Sequence, residues 1–273
     1  MPQKIFVVGN TNDRVFQYNA PTDWSLTSAT YDSVSLSISA QDDNPIGVRF
    51  KNDGKKLYFS GLNSNTIYQY SLPTAWSLTS GTYDSVSLSI TSQSNGIRDF
   101  FFKPDGTKLY VIGLTNRRVY QYSLSTAWSL SSATYDSVSF LFSSQTTSGY
   151  SLGISTDGTK MFIVGEDEVR IFQYTLSTPW VVSSATYDSI SLDTSGQDNQ
   201  PTCVFFKTDG TKLYLSASQN NRIYQYSMPT AWSLTSASYD SVFLAVGSQD
   251  VDPRGVAMQI EEVITFRPII AMF

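Results

Sequence analysis

Histidine is absent from the 273 residues and cysteine occurs once, at Cys203. The first absence excludes His-based triads and most zinc sites. The second excludes an internal disulfide, so stability must come from packing, and the redox compartment stays open. Charge is sparse at 15% of residues, with 18 basic against 23 acidic side chains, a net of −5, and no basic stripe. Phosphate binding needs clustered Lys and Arg, which disfavours nucleic acid as a partner. No apolar run approaches the length of a membrane span. The start, Met1-Pro2-Gln3-Lys4-Ile5-Phe6, has no charged stretch followed by an apolar one, so no cleavable signal is expected. Location stays open between the cytoplasm where the chain is made, a virion and a cell surface.

Present instead are hydrophobic residues at 41%, aromatics at 14%, and five tryptophans at 24, 76, 128, 180 and 232, each 52 residues after the last. A unit recurring at one fixed period without insertions is one supersecondary unit copied in space. The same frame returns around each Trp: Gln17-Tyr18, Thr22, Trp24, Ser28, Tyr31-Asp32-Ser33 and Gln41 in the first copy. Five units of 52 residues fill 260 of the 273 positions.

In the third copy, Ile97 to Lys103 is a short apolar run ended by Pro104-Asp105-Gly106-Thr107. Asp-Gly between apolar runs signals a tight hairpin, because Gly takes positive φ at no steric cost. Lys108 to Gly113 forms a second strand, and the polar turn Leu114-Thr115-Asn116-Arg117 leads into a third, Arg118 to Tyr122. The connection Ser123 to Tyr135 carries the Trp, and Ser137 to Ser143 is the fourth strand. Its first-copy equivalent, Ser33 to Ser39, alternates Ser with aliphatics, as a strand with one buried and one wet face does. Four antiparallel strands per repeat without helices predict an all-β, five-bladed β-propeller forming one domain. The expected blades are 254–259 with 4–39, then 46–91, 98–143, 150–195 and 202–247. Lys4 to Gly9 aligns with a second strand and Pro253 to Met258 with the innermost strand Pro45 to Phe50, so pairing of 254–259 with 4–9 should close the ring and remove two sheet edges. Residues 260–273 are then surplus and strongly apolar, a candidate contact for a second copy or a virion.

The segments Lys103-Pro104-Asp105-Gly106-Thr107-Lys108-Leu109-Tyr110-Val111 and Pro253-Arg254-Gly255-Val256 resemble the repeat of YVTN-type propellers. The longer unit, from Tyr-Gln-Tyr-Ser-Leu-Ser-Thr-Ala-Trp to Ala-Thr-Tyr-Asp-Ser, is similar to propeller repeats of marine phage and environmental bacterial proteins. The resemblance covers nearly the whole chain and implies a propeller serving as a binding or structural module. Lactonase-type YVTN enzymes have seven blades and rely on residues, His included, that are missing here, so their activity is not implied. Five-bladed tachylectin-like lectins are similar in repeat logic only.

Candidate sites fall into two groups. Trp24, Trp76, Trp128, Trp180 and Trp232 are expected as wedges between blades, with repeated sugar-stacking platforms as the alternative. The Asp-Gly pairs read as turns rather than metal ligands, Asp32 and its copies as turn caps, and Cys203 as a small buried residue. No metal or cofactor is implied. The copies disagree most in the turns between strands two and three and in the links between blades, which should share one face. There Arg98, Asp99, Tyr150 and Arg254, with Asn116, Arg117 and Asn220, are the ligand-binding candidates.

Two classes of function follow. The first is a non-enzymatic recognition or adhesion module presenting this face to a glycan or protein, with a structural assembly role beside it. The second is a five-bladed glycoside hydrolase, which needs two carboxylates about 5–10 Å apart across a sugar. Asp99 with Glu166 or Glu168 is the available pair. Blades of identical length favour the first.

Overall fold

The computed structural model describes residues 3–260. Twenty strands form five four-stranded antiparallel sheets arranged as a ring. Blade 1 holds β1 (Gln3–Gly9), β2 (Arg14–Ala20) and β3 (Thr30–Ser37), and blade 2 holds β4 (Pro45–Phe50), β5 (Lys56–Gly61), β6 (Thr66–Ser71) and β7 (Thr82–Ser89). Blade 3 comprises β8 (Ile97–Phe102), β9 (Lys108–Gly113), β10 (Arg118–Leu124) and β11 (Ala133–Leu141). Blade 4 comprises β12 (Gly149–Ile154), β13 (Lys160–Gly165), β14 (Arg170–Leu176) and β15 (Ala185–Asp193). Blade 5 is β16 (Pro201–Phe206), β17 (Lys212–Ala217), β18 (Arg222–Ser227) and β19 (Ser238–Ala245). The last strand, β20 (Pro253–Met258), pairs antiparallel with β1 and completes blade 1 as its innermost strand, which closes the ring.

Two boundaries differ from expectation. The fourth strand of each blade starts earlier, so Tyr135-Asp136-Ser137 lies inside β11. Pairing with β10 then slips by a β-bulge between Gln121 and Tyr122, and Ser137 takes φ 58°. The extra residue lets the strand continue where a simple alternation would have ended it. The Trp connection also contains a short 3-10 turn in four blades, as at Leu130–Ser132.

Because the bulge carries Asp136 into the sheet, it does not cap a turn as its sequence position suggested. Asp136 accepts from Lys108 Nζ at 2.8 Å, Ser123 Oγ at 2.5 Å and Gln121 Nε2 at 2.9 Å. The Lys–Asp pair recurs in every blade at 2.6–3.1 Å, at Asp32, Asp84, Asp136, Asp188 and Asp240. Burial pushes the Asp84, Asp136, Asp188 and Asp240 carboxyls up, but the Lys, Ser or Thr, and Gln donors outweigh it and hold each below the usual range.

The Gln that donates to this Asp also joins neighbouring blades. Gln17, Gln69, Gln121, Gln173 and Gln225 each accept from a backbone N–H of the next blade at 2.8–3.3 Å, namely Leu78, Leu130, Val182, Leu234 and Leu26. The last of these joins blade 5 to blade 1. The adjacent Tyr donates its hydroxyl to the Gln of the link entering its blade, as Tyr122 does to Gln93 at 2.8 Å and Tyr226 to Gln197 at 2.7 Å. The Gln-Tyr pair and Gln41 of the repeated frame are thus parts of blade-to-blade contacts. A further layer of large apolar side chains fills the space between sheets, with Tyr58, Phe100, Tyr110, Phe162 and Tyr214 fully buried.

Candidate functional site

Each Trp sits where the third strand returns toward the Asp-Gly turn of its own blade. The indole lies flat against that turn: a Cβ on Gly106 would come within 2.2 Å of Trp128 Cδ1, and Gly106 holds φ 74°. Only glycine meets both demands. The Trp128 N–H donates to the Gly106 carbonyl at 2.9 Å. In blade 1 the corresponding turn is missing because the ring closes there, and Gln3 Oε1 accepts from the Trp24 N–H instead at 2.6 Å. The preceding blade supplies the second contact. Tyr58, Tyr110 and Tyr214 donate to the carbonyls of Trp128, Trp180 and Trp24 at 2.6–2.7 Å. Phe6 and Phe162 stand at the equivalent places and stack on Trp76 and Trp232, with centroids 6.3 Å apart in both pairs. Trp24 and Trp76 are buried, and Trp128, Trp180 and Trp232 are half-buried.

The innermost strands line an axial channel in successive rings of five residues. At one end stand Ile46, Arg98, Tyr150, Thr202 and Arg254. The Arg98 guanidinium lies over the Tyr150 ring at 4.3 Å and that of Arg254 at 5.9 Å. Arg254 is ion-paired with Asp252 at 2.8 Å. Arg98 has no ion-pair partner among the described residues, and its buried Nε has no hydrogen-bond acceptor. Burial and then the neighbouring Arg254 charge lower the Arg98 pKa, while Tyr150 and Glu166 oppose them. The Tyr150 hydroxyl is pushed up by burial, against the pull of Arg98.

The sequence therefore brought Arg98, Tyr150 and Arg254 to one place, with Glu166 beside them. Tyr150 is only 7% exposed, so it is a packed floor for the two guanidinium groups rather than a free rim residue. Asn116, Arg117 and Asn220 lie on the same face but farther out, and all three are exposed. The Asn116 and Asn220 amides donate to the Gln93 and Gln197 carbonyls of the adjoining links at 2.6 and 3.1 Å, bracing turn to link. Arg117 occupies a turn position with φ 51°, matched by Asp13, Asn65, Val169 and Asn221 in the other copies.

Asp99 does not reach this mouth. It is 1% exposed, one layer below, and its carboxylate accepts from Arg49 Nη2 and Ser151 Oγ at 2.6 Å, Phe100 N at 2.8 Å and Leu152 N at 3.3 Å. Gly47 leaves the room it occupies, since a Cβ there would come within 2.6 Å of Asp99 Oδ1. A carboxylate saturated in this way does not face a substrate, so the proposed pairing with Glu166 or Glu168 across a sugar is not assembled. Glu168 Oε2 is itself buried without a partner. Cys203 is buried beside this ion pair, its Sγ 3.5 Å from Ser151 Oγ, and burial pushes its thiol up.

The Arg49–Asp99 plug went unnoticed in the sequence. Its signal was available: Arg49 is the one charge at a position filled elsewhere by Phe101, Gly153, Phe205 and Ala257. Below the plug the channel widens into an axial vestibule of about 590 Å³ on the Asp-Gly turn face, lined by all five blades. Its walls are mainly Phe101, Phe205, Trp76, Trp128, Trp232 and Ile260. Among the described residues, no three His, Cys, Asp or Glu side chains are grouped to hold a metal ion, and no helix is long and apolar enough to cross a membrane.

No protein-family profile matches the chain and no curated protein matches it, so the likeness to YVTN-type repeats rests on the residues quoted above. Solved structures share the fold. A structure titled "putative 6-phosphogluconolactonase" from Bacteroides uniformis is 16% identical, TM-score 0.51, over 90% of this chain and 71% of its own. A protein from Lactobacillus plantarum is 13% identical, TM-score 0.58, over 94% of this chain and 99% of its own. A nidogen/laminin complex contains a chain 11% identical, TM-score 0.59, over 94% of this chain and 98% of its own. These likenesses bear on the fold alone, a β-propeller, which in this chain is built of five repeated blades.

They also correct one expectation. The chain was expected not to be an enzyme, yet the Bacteroides uniformis structure and a second one, from Bacteroides fragilis at 13% identity, carry the 6-phosphogluconolactonase title. At such identities the likeness establishes fold alone. The fold gives no ground for excluding catalysis, and that exclusion is withdrawn.

Proposed function

We propose that this propeller is a recognition module that presents the face around Arg98, Tyr150 and Arg254 to an acidic or polar glycan, or to a protein surface bearing such groups. One observation carries the reading: Arg98 is a cation held over an aromatic ring, without an ion-pair partner among the described residues, at the centre of the face where the copies differ. A guanidinium without a carboxylate keeps its bidentate donor edge for an incoming anion or hydroxyl pair. Arg254 adds a second guanidinium on the same ring, and Asn116, Arg117 and Asn220 form an outer polar margin. The other positions of this ring hold Ile46, Tyr150, Thr202 and the ion-paired Arg254, so the reading is of one site per chain rather than five.

The test is a screen of neutral and acidic oligosaccharides on the intact chain, repeated with Arg98→Ala and Tyr150→Phe. Arg98→Ala should weaken any true ligand at least about tenfold, the scale of a lost charge-assisted hydrogen bond, with unchanged melting. Tyr150→Phe keeps the packed ring and should bind nearly as the native chain does. Equal binding by Arg98→Ala would move the site elsewhere on the propeller.

A further inference from the structure

One contact repeats between the link that enters each blade and the turn between that blade's second and third strands. In blade 2 the Asp42 carboxylate makes it: Oδ1 accepts from the Asn44 N–H of the link and Oδ2 from the Ser64 N–H of the turn, both at 2.8 Å. Asp198 does the same in blade 5 with Gln200 and Asn220, both at 2.9 Å. Asp250 does it in blade 1 with Asp252 at 2.8 Å and Asn12 at 2.9 Å. The Asp42 and Asp250 carboxylates pack against Gly61 and Gly9, whose lack of a Cβ leaves them room. Blade 4 has Thr146 in place of the Asp, and its hydroxyl accepts from the Ser148 N–H at 3.0 Å. There the carboxylate comes from the turn instead, for Glu168 Oε2 lies 2.8 Å from where a Cβ on Gly165 would stand.

Blade 3 has the same backbone and no carboxylate at this place. The Leu114 N–H donates to the Gly96 carbonyl at 2.7 Å, as Leu62 does to Asn44 at 2.9 Å, and Arg117 takes φ 51°, as Asn65 does. The Gly96 and Asn116 N–H groups therefore hold the places of Asn44 and Ser64, aimed at the side chain of residue 94. That residue is Ser94, which packs on Gly113 as Asp42 does on Gly61. It is 2% exposed, and its Oγ is buried without a hydrogen-bond partner. Among the described residues neither N–H has an acceptor. Donors left unmatched in this way are costly to bury. The surrounding charge is positive: the link 91–96 and the turn 114–117 contain no Asp or Glu, while Arg98 follows the link and Arg117 and Arg118 end the turn.

We propose that blade 3 binds a small monovalent anion such as chloride, held by the Gly96 N–H, the Asn116 N–H and the Ser94 hydroxyl. The anion supplies from solution the charge that Asp42, Asp198 and Asp250 supply covalently. Backbone N–H groups gathered at a turn form anion-binding concavities of this kind, and hydrogen bonds to a charged acceptor are about twice as strong as neutral ones. Size is limited because Ser94, Gly96 and Gly113 are all buried, which leaves no room for the body of a larger molecule. The site uses the main chain of Asn116 and none of the guanidinium groups of the polar face, so binding at either one can be lost without the other. Its groups belong to residues 94–116; residues 261–273, expected as a contact for a second copy or a virion, lie outside the described residues.

The experiment titrates the full chain with sodium bromide, at constant ionic strength made up with the bulky gluconate ion, while the Gly96 and Asn116 amide signals are followed by heteronuclear NMR. Ser94→Asp is titrated alongside, and crystals of the native chain grown in bromide are measured at the bromine absorption edge. The expected result is a saturable shift of both amides and an anomalous bromide peak in contact with Gly96 N, Asn116 N and Ser94 Oγ. Ser94→Asp brings its own carboxylate, with Gly113 leaving room as Gly61 does for Asp42, and should bind bromide at least about tenfold more weakly. Amides that show no saturable response, or the absence of a bromide peak at these donors, overturn the proposal, because water then satisfies them. Native affinity in a folded Ser94→Asp overturns it as well, because the anion then sits elsewhere. The crystallographic arm needs only the native chain and decides the matter should Ser94→Asp fail to fold.

Discussion

Removing one Gln latch between blades is the most direct perturbation of the ring. Gln121 is 4% exposed, accepts from the Val182 N–H of blade 4 at 3.2 Å and donates to Asp136 at 2.9 Å. In Gln121→Ala the Val182 N–H is left buried without an acceptor, which costs about 1–3 kcal/mol. Asp136 keeps Lys108 and Ser123, so the second loss is smaller, about 0.5–1.5 kcal/mol. The sum is about 1.5–4.5 kcal/mol, or roughly 3–18 °C in melting temperature at about 2–4 °C per kcal/mol for a chain of this size. Calorimetry and urea unfolding measure it. The same substitution at Gln225, whose partner Leu26 lies across the closing boundary, should cost the same within about 1 kcal/mol if all five boundaries are alike. Asp136→Ala combined with Gln121→Ala should cost less than the two single changes added, because they share one network. A loss below about 0.5 kcal/mol for Gln121→Ala would refute the reasoning, since it is under the smallest penalty for an orphaned buried donor.

Two further outcomes follow from the same geometry. Trp128→Ala should cost about 3 kcal/mol, near the lower end for a buried aromatic because the ring is only half-buried, and it should not abolish glycan binding at the polar face; unchanged melting with lost binding would make the indole a sugar platform instead. The Lys, Ser or Thr, and Gln donors outweigh burial and hold the Asp84, Asp136, Asp188 and Asp240 carboxyls below the usual carboxylate range, so their contribution is fully present above about pH 4 to 5 and is lost as pH falls through the lower folded values; a urea midpoint that starts to fall above pH 6 would contradict this.

The ring itself was legible because the strongest signals are local and repeated. Trp spacing, Asp-Gly turns and the displaced first strand each have one geometric solution, and β20 pairing with β1 is that solution. The fourth-strand boundary was less legible, because a Ser at φ 58° carries no residue signature that distinguishes a bulge from a turn. Asp136 was misread for the same reason: its partners Lys108, Ser123 and Gln121 are 28, 13 and 15 residues away, and only the sheet brings them together. Arg98, Tyr150 and Arg254 could be grouped because they share one register position on three inner strands. Asp99 shares the next position and points into a different layer, and a shift of one residue in a strand is enough to move a carboxylate from a mouth to a buried plug.

The five Gln latches all point the same way around the ring, each from one blade to the next in chain order, and the boundary between blades 5 and 1 uses the same bond as the other four. Contacts of this head-to-tail kind carry no information about where the polypeptide is interrupted. The break inside blade 1 is held by the β1–β20 ladder, and an equivalent break could lie inside any blade with the same set of contacts. A ring built this way is open to circular permutation, with new termini placed inside any of its five blades.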